Sequence, residues 1–268
     1  MGRTVSSVAL SPTSHDLWRV AALSLMPRQA VRAAITGQEA VCWIKAAAAC
    51  GLPAAQLRLG RMLLEGEGLA PDRKAAFRLF EAAAIQGDIE ARNMLGRCHE
   101  NGWGTTRDPA AAVREYRIAA DADLDWAQYN LAHMLLAGTG IARDRNMVFI
   151  WYSRAATQGH VRAMNLVARC FEEGWGVRKS RSTALAWFGR AARGGYFRAA
   201  FNYASILEEK DCLFGALYWF ARALSTAPEP TRTNMVARLG RHRRNLVRAL
   251  AENFARTREP KTGCLGGG

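Results

Sequence analysis

Residues 96–108 read GRCHENGWGTTRD, and the same pattern returns at a fixed distance on either side. Residues 60–72 read GRMLLEGEGLAPD, residues 132–144 AHMLLAGTGIARD and residues 168–180 ARCFEEGWGVRKS. The four stretches superpose without a gap at a period of 36 residues. Working outward, the register runs back to about residue 16 and forward to about residue 224, with four residues deleted near Asp211. A period in this range marks a chain built from stacked supersecondary units, and it decides the fold before any single residue does.

Each column of the repeat has a physical reading. Ala55, Ala91, Ala127, Ala163 and Ala199 keep one position small, as do the pairs from Ala47-Ala48 to Ala191-Ala192. Leu59, Leu95, Leu131, Val167 and Tyr203 form one large apolar column, and Ile44, Phe80, Tyr116, Tyr152, Phe188 and Phe220 form another. Within a unit, apolar residues recur three and four apart, the helical period. Thr36, Asp72, Asp108, Asp144 and Ser180 are suited to N-caps, and Pro109 stands at the favoured first helical position. Gly66, Gly102, Gly138 and Gly174 are placed to end a first helix. Gly51, Gly87, Gly159 and Gly195, with Asp123 in the remaining place, are placed to end a second. Each unit is therefore helix, GxG turn, helix, turn, and no strand pattern is present.

These columns resemble the Sel-one-like repeat, a subgroup of the tetratricopeptide-like superfamily, across residues 16–224. The resemblance implies an all-α, right-handed superhelical solenoid of about six helix pairs. The first unit lacks the glycines and the last has lost its GxG turn, as terminal units of solenoids do. Residues 1–15 are expected to be a flexible N-terminus and residues 258–268 a flexible tail. Between them, residues 225–257 read as one basic amphipathic helix that caps the array. A finer period of 72 relates Cys98 to Cys170 and Trp103 to Trp175, as if a two-repeat block had been duplicated.

Composition narrows the function. The chain has 268 residues and a formal net charge of +14, with 32 Arg against 5 Lys. Arginine suits bidentate contact with carboxylate or phosphate, so the excess points to an acidic partner. An Arg- and Ala-rich chain equally fits a GC-rich bacterial genome. No apolar run reaches the length that spans a bilayer. The start lacks the apolar core of a secretion signal, so a cytoplasmic protein is expected. None of the six cysteines forms a CxxC pair. HExxH, GxSxG, a phosphate-binding glycine loop and metal-ligand spacing are all missing, so no cofactor, metal or catalytic residue is assigned. Cys98 and Cys170 share a column with Met62, Met134 and Ile206 and read as buried, inert thiols. Trp43, Trp151, Trp187 and Trp219 share a helical column and read as core.

The resemblance also implies where partners bind. In the superfamily the first helix of each repeat lines a concave groove. Carried over by column, the groove-facing positions are Arg61, Arg97, His133 and Arg169; then Leu57, Asn93, Tyr129, Asn165 and Phe201; then Leu64, Glu100, Leu136, Glu172 and Glu208. The first set is a ladder of positive charge. The Asn residues offer amides to an extended peptide backbone, and Arg offers its fork to acidic groups. The bland alternative pairs Arg97 with Glu100 and Arg169 with Glu172 along one helix. Trp103 and Trp175, sited in turns, are candidate edge anchors. The expected function is a non-catalytic scaffold or adaptor for a partner protein or peptide carrying acidic groups. The alternative is nucleic-acid or anionic-surface binding through Arg238, Arg241, Arg244 and Arg248 on the C-terminal helix. The partner's identity and the oligomeric state are not legible.

Overall fold

The structure, a computed structural model, describes residues 40–256 together with Leu17 and Val20. Thr36, Cys264, the first expected helix pair and both terminal segments fall wholly or largely outside the described residues. Thirteen helices follow one another from residue 40, with no strand among the described residues: α1 (Ala40–Ala49), α2 (Pro53–Glu65), α3 (Arg73–Ile85), α4 (Ile89–Asn101), α5 (Pro109–Asp121), α6 (Asp125–Ala137), α7 (Arg145–Thr157), α8 (Val161–Glu173), α9 (Arg181–Arg193), α10 (Phe197–Glu209), α11 (Leu213–Thr226), α12 (Thr231–Gly240) and α13 (Asn245–Arg256). The even-numbered helices from α2 to α10 are the first helices of their repeats, and the odd-numbered ones from α3 to α11 are the second. The chain is an all-α repeat solenoid. It divides into two compact units between Asp144 and Arg145.

The helix ends follow the columns. Asp72, Asp108 and Ser180 accept from the backbone N–H of Ala75, Ala111 and Thr183 and cap α3, α5 and α9. Each of these residues also donates its own N–H back to the preceding helix, to Leu63, His99 and Phe171 respectively. That closes the GxG turn. Gly66, Gly102, Gly138 and Gly174 end their helices in the left-handed region, with φ between 71 and 76°. Asp123, in the glycine column, takes φ 65°, which Asp tolerates better than most residues. In the last repeat, Lys210 and Asp211 (φ 59°) replace the lost GxG turn.

The second glycine of the turn has a different task. A Cβ on Gly104 would lie 2.0 Å from the carbonyl oxygen of Arg73, the first residue of the previous repeat's second helix. Gly140 meets Pro109 in the same way at 2.3 Å, and Gly176 meets Arg145 at 2.1 Å. These three GxG turns therefore seat on the start of a helix one repeat back. Inside a repeat, Gly60 packs on the Phe80 ring and Gly96 on the Tyr116 ring, so closely that a Cβ would fall within 3 Å. Small residues on first helices face large rings on second helices, and the alanine columns are buried from Ala83 to Ala199. Close packing of this kind leaves each methylene accountable.

The C-terminal region differs from the single helix expected over 225–257. It forms two helices, α12 and α13, broken at residues 241–244. The break has local causes: Gly240 ends α12, and the Arg244 N–H donates to His242 Nδ1 at 3.2 Å. Leu239, Val247 and Ala251 are buried in one core with α10 and α11. The Arg241-to-Arg248 spacing that reads as one face thus spans a turn.

Candidate functional site

The first unit carries Arg61, Arg97 and His133 on the successive first helices α2, α4 and α6. Inter-repeat contacts hold these helices in register. Arg61 reaches Glu90 of α4 at 2.7 Å, and Asn130 of α6 donates to the Asn93 side-chain oxygen at 2.9 Å. Arg97 stacks with its guanidinium 5.1 Å from the Trp103 ring centre, and one of its N–H groups points at the Met94 sulfur, 3.5 Å away. His133 lies parallel to Tyr129, with ring centroids 6.0 Å apart and 9° between planes.

The second unit repeats the arrangement. Arg169 on α8 lies 4.9 Å from the Trp175 ring centre, and Asn202 of α10 donates to the Asn165 oxygen at 3.2 Å. Neither Arg97 nor Arg169 has a carboxylate within ion-pair distance among the described residues. The alternative pairing with Glu100 and Glu172 along the helix is not formed. Glu100 instead accepts the Tyr116 hydroxyl proton at 2.6 Å. Burial and the adjacent Glu100 carboxylate push the Tyr116 hydroxyl well above its ordinary range.

The turn tryptophans are half-buried. Trp103 packs against the core cluster around Phe80 and Cys98, so its inner face is a packing surface and its outer face carries Arg97. The stack joins residues six apart across a helix end, a pairing that helical spacing alone does not reveal.

Several sequence-assigned residues are not open to a partner. Asn93 and Asn165 are buried, at 8% and 5% exposure, and their oxygens are taken by the neighbouring repeat. A bidentate contact with a peptide needs an open amide. Phe201 is a core residue, 5.1 Å from the Phe220 ring and covered by Arg238 from α12. Leu57 is likewise buried. Glu208 is 5% exposed and anchors the C-terminal pair, with Arg244 Nε at 2.5 Å and Arg243 and His242 at 3.7 Å.

The C-terminal arginines are also engaged. Arg244 bridges Glu208 and Asp211 at 2.5 Å each, and both carboxylates raise its pKa. Arg248 donates to the carbonyls of His242 (2.8 Å) and Arg243 (3.2 Å) and to the Asn245 side chain. Arg238 covers Phe201. Of the four, Arg241 is the exposed one without such a contact.

Cys98 and Cys170 are fully buried, and desolvation pushes their thiols up to about 11 and about 12. Among the described residues no group of His, Cys, Asp or Glu is arranged to hold a metal ion. No helix there is long and apolar enough to cross a membrane. The Trp column splits. Trp43 and Trp151 are buried, while Trp187 and Trp219 are half-exposed beneath Arg190 and Arg222. His160 was unassigned by sequence. It caps α8 through Nδ1, which accepts from Ala163 N–H at 3.1 Å, a role for which His is an uncommon choice.

The Sel1 repeat family model matches residues 53–88, 89–124, 127–160 and 161–196. No curated protein matches the chain. Among solved structures, a Sel1 repeat protein from Oxalobacter formigenes is similar at 25% identity and a TM-score of 0.73, over 82% of this chain and 92% of that one. A protective antigen of uropathogenic Escherichia coli with an SLR fold is similar at 24% identity and a TM-score of 0.70, over 92% of this chain. This chain spans only 55% of that antigen's length. An immunity protein from Pseudomonas aeruginosa shares the fold at 20% identity and a TM-score of 0.52, over 76% of this chain and 78% of that one.

Proposed function

We propose, from the premise that this chain belongs to the Sel1 repeat family, that it is a non-catalytic adaptor that binds an acidic partner protein or peptide along its first helices. Sel1 repeat proteins generally mediate protein–protein interaction. The observation that carries the finer reading is the pair of arginines at one repeat position, Arg97 and Arg169. Each lies over a tryptophan ring and each lacks a carboxylate partner among the described residues. A stacked guanidinium has already lost much of its rotamer freedom, so a partner's carboxylate meets a pre-set fork. Arg61 takes part less freely, because Glu90 competes for it.

Tyr129, stacked on His133, supplies a flat apolar surface beside the charge in the first unit. The buried Asn93 in the first unit, and Asn165 and Phe201 in the second, support the first helices of their own unit from within. The anionic-surface alternative has less support, because Arg244 and Arg248 are taken up by carboxylates, carbonyls and a side-chain amide of the protein itself.

The test is capture of partners from native lysate by the wild type and by the Arg97→Ala/Arg169→Ala variant. Loss of one dominant protein that survives high salt supports the reading. Capture of that protein unchanged by the double variant rejects it.

A further inference from the structure

The second unit carries a second set of stacked arginines, on its second helices. Arg154 lies 4.7 Å from the Trp151 ring centre, Arg190 4.8 Å from Trp187 and Arg222 5.4 Å from Trp219. Each pair is three residues apart, so the guanidinium folds back over the indole on one helix face. The three pairs occupy the same repeat position on α7, α9 and α11. Within this unit α7 packs on α8, α8 on α9, α9 on α10 and α10 on α11. That zigzag puts α7, α9 and α11 in one layer and the first helices in the other.

The chemistry of that layer is one-sided. The sequences of α7, α9 and α11 contain two, three and one arginines and no Asp or Glu. Arg154, Arg190 and Arg222 are all exposed, and none has an ion pair among the described residues. Ile150 at 42% exposure and Phe214 at 86% stand beside them in the open, and Tyr218, at 56%, accepts from Arg222 through its hydroxyl oxygen at 3.2 Å. The first unit has no such layer. Its equivalent helices α3 and α5 carry Glu81, Glu115 and Asp121 among their basic residues.

We propose that the face of α7, α9 and α11 bearing Arg154, Arg190 and Arg222 docks an Asp/Glu-rich segment of a partner protein with apolar residues interspersed. Charge complementarity selects the acid, since three exposed, pre-oriented forks meet no carboxylate among the described residues. The apolar neighbours select a protein over a nucleic acid. Each indole face is covered by its arginine, and the aliphatic Ile150 gives a base no ring to stack on. This surface is separate from the Arg97 and Arg169 positions, which lie on first helices.

The test measures the anisotropy of a fluorescein-labelled peptide of repeated Glu-Glu-Leu in the Arg97→Ala/Arg169→Ala background, so that binding at the first helices does not contribute. Removing all three charges (Arg154→Gln, Arg190→Gln, Arg222→Gln) should weaken binding at least about tenfold. A lysine triple (R154K, R190K, R222K) keeps the charge and loses the planar stack. It should bind between the two and also reports on folding, checked by far-UV circular dichroism. Labelled oligodeoxythymidine should bind more weakly than the peptide. No peptide binding in the Arg97→Ala/Arg169→Ala background overturns the proposal, as does a glutamine triple within twofold of it. A lysine triple equal to that background, or an oligonucleotide held more tightly than the peptide by the same three residues, overturns it too.

Discussion

Gly104 sits against the carbonyl of Arg73 so closely that a methyl group in place of its hydrogen would lie 2.0 Å from that oxygen. The contact joins two repeats through backbone alone. Gly104→Ala must displace a helix start and also hold Ala at φ 75°. We expect a loss of about 3 kcal/mol or more, from strain and broken packing together. Gly87 provides the control. It also has positive φ, at 90°, but a Cβ there meets nothing within 4 Å. Gly87→Ala should cost only about 1 kcal/mol. Urea denaturation of the two variants checks the ranking, and equal losses would remove the interlock from the account.

The buried thiols give the pH prediction. Cys98 and Cys170 titrate near 11 and 12 in the folded protein against 9.0 for the free group. Between those values the native state keeps protons that the unfolded state has released. Stability therefore falls as pH rises above about 9, and the contribution is intact below it. In native protein at pH 8, iodoacetamide should modify the exposed Cys42 and Cys212 and leave Cys98 and Cys170 untouched. Mass spectrometry of the alkylated peptides decides it. Rapid labelling of Cys98 would contradict its burial.

Glu208 is the buried carboxylate that ties α12 and α13 to the repeat array through Arg244. Glu208→Gln leaves the guanidinium cluster short of a charge and should cost about 1–3 kcal/mol. Asp211→Asn, at an 82% exposed carboxylate, should cost under about 1 kcal/mol. Thermal melts that rank the two the other way would mean the anchor lies elsewhere.

Trp103 holds Arg97 on one side and packs on the core of the first unit on the other. Trp103→Ala should destabilise the protein by about 2–3 kcal/mol and also weaken any partner that depends on Arg97. Trp103→Phe, which keeps a ring, should restore most of the stability. An Ala variant with wild-type stability would place the ring outside the core.

The sequence carries the local part of this structure well. Caps such as Asp108 and turn glycines such as Gly102 depend on backbone geometry within a few residues, and both are where the repeat columns place them. Exposure depends on what the neighbouring repeat does, and there the reading is weaker. Asn93 occupies a groove-facing column yet is closed by Asn130, thirty-seven residues away. Phe201 is closed by Arg238 at the same separation. The Arg97–Trp103 and Arg169–Trp175 stacks escape a search at helical spacing because they cross a helix end. The break between α12 and α13 hides because Arg238, Arg241, Arg244 and Arg248 keep a helical rhythm through a turn.

The glycine joint also bears on how such an array changes over generations. Its two halves are unequal. The receiving half is a carbonyl oxygen, which every amino acid supplies, and the three receiving positions hold Arg73, Pro109 and Arg145. The inserting half admits one residue type and holds Gly104, Gly140 and Gly176. Substitutions can therefore accumulate freely on one side of every joint without disturbing the other. A copied block of whole repeats arrives with both halves already matched, so the array can lengthen in one genetic step while its individual repeats drift apart.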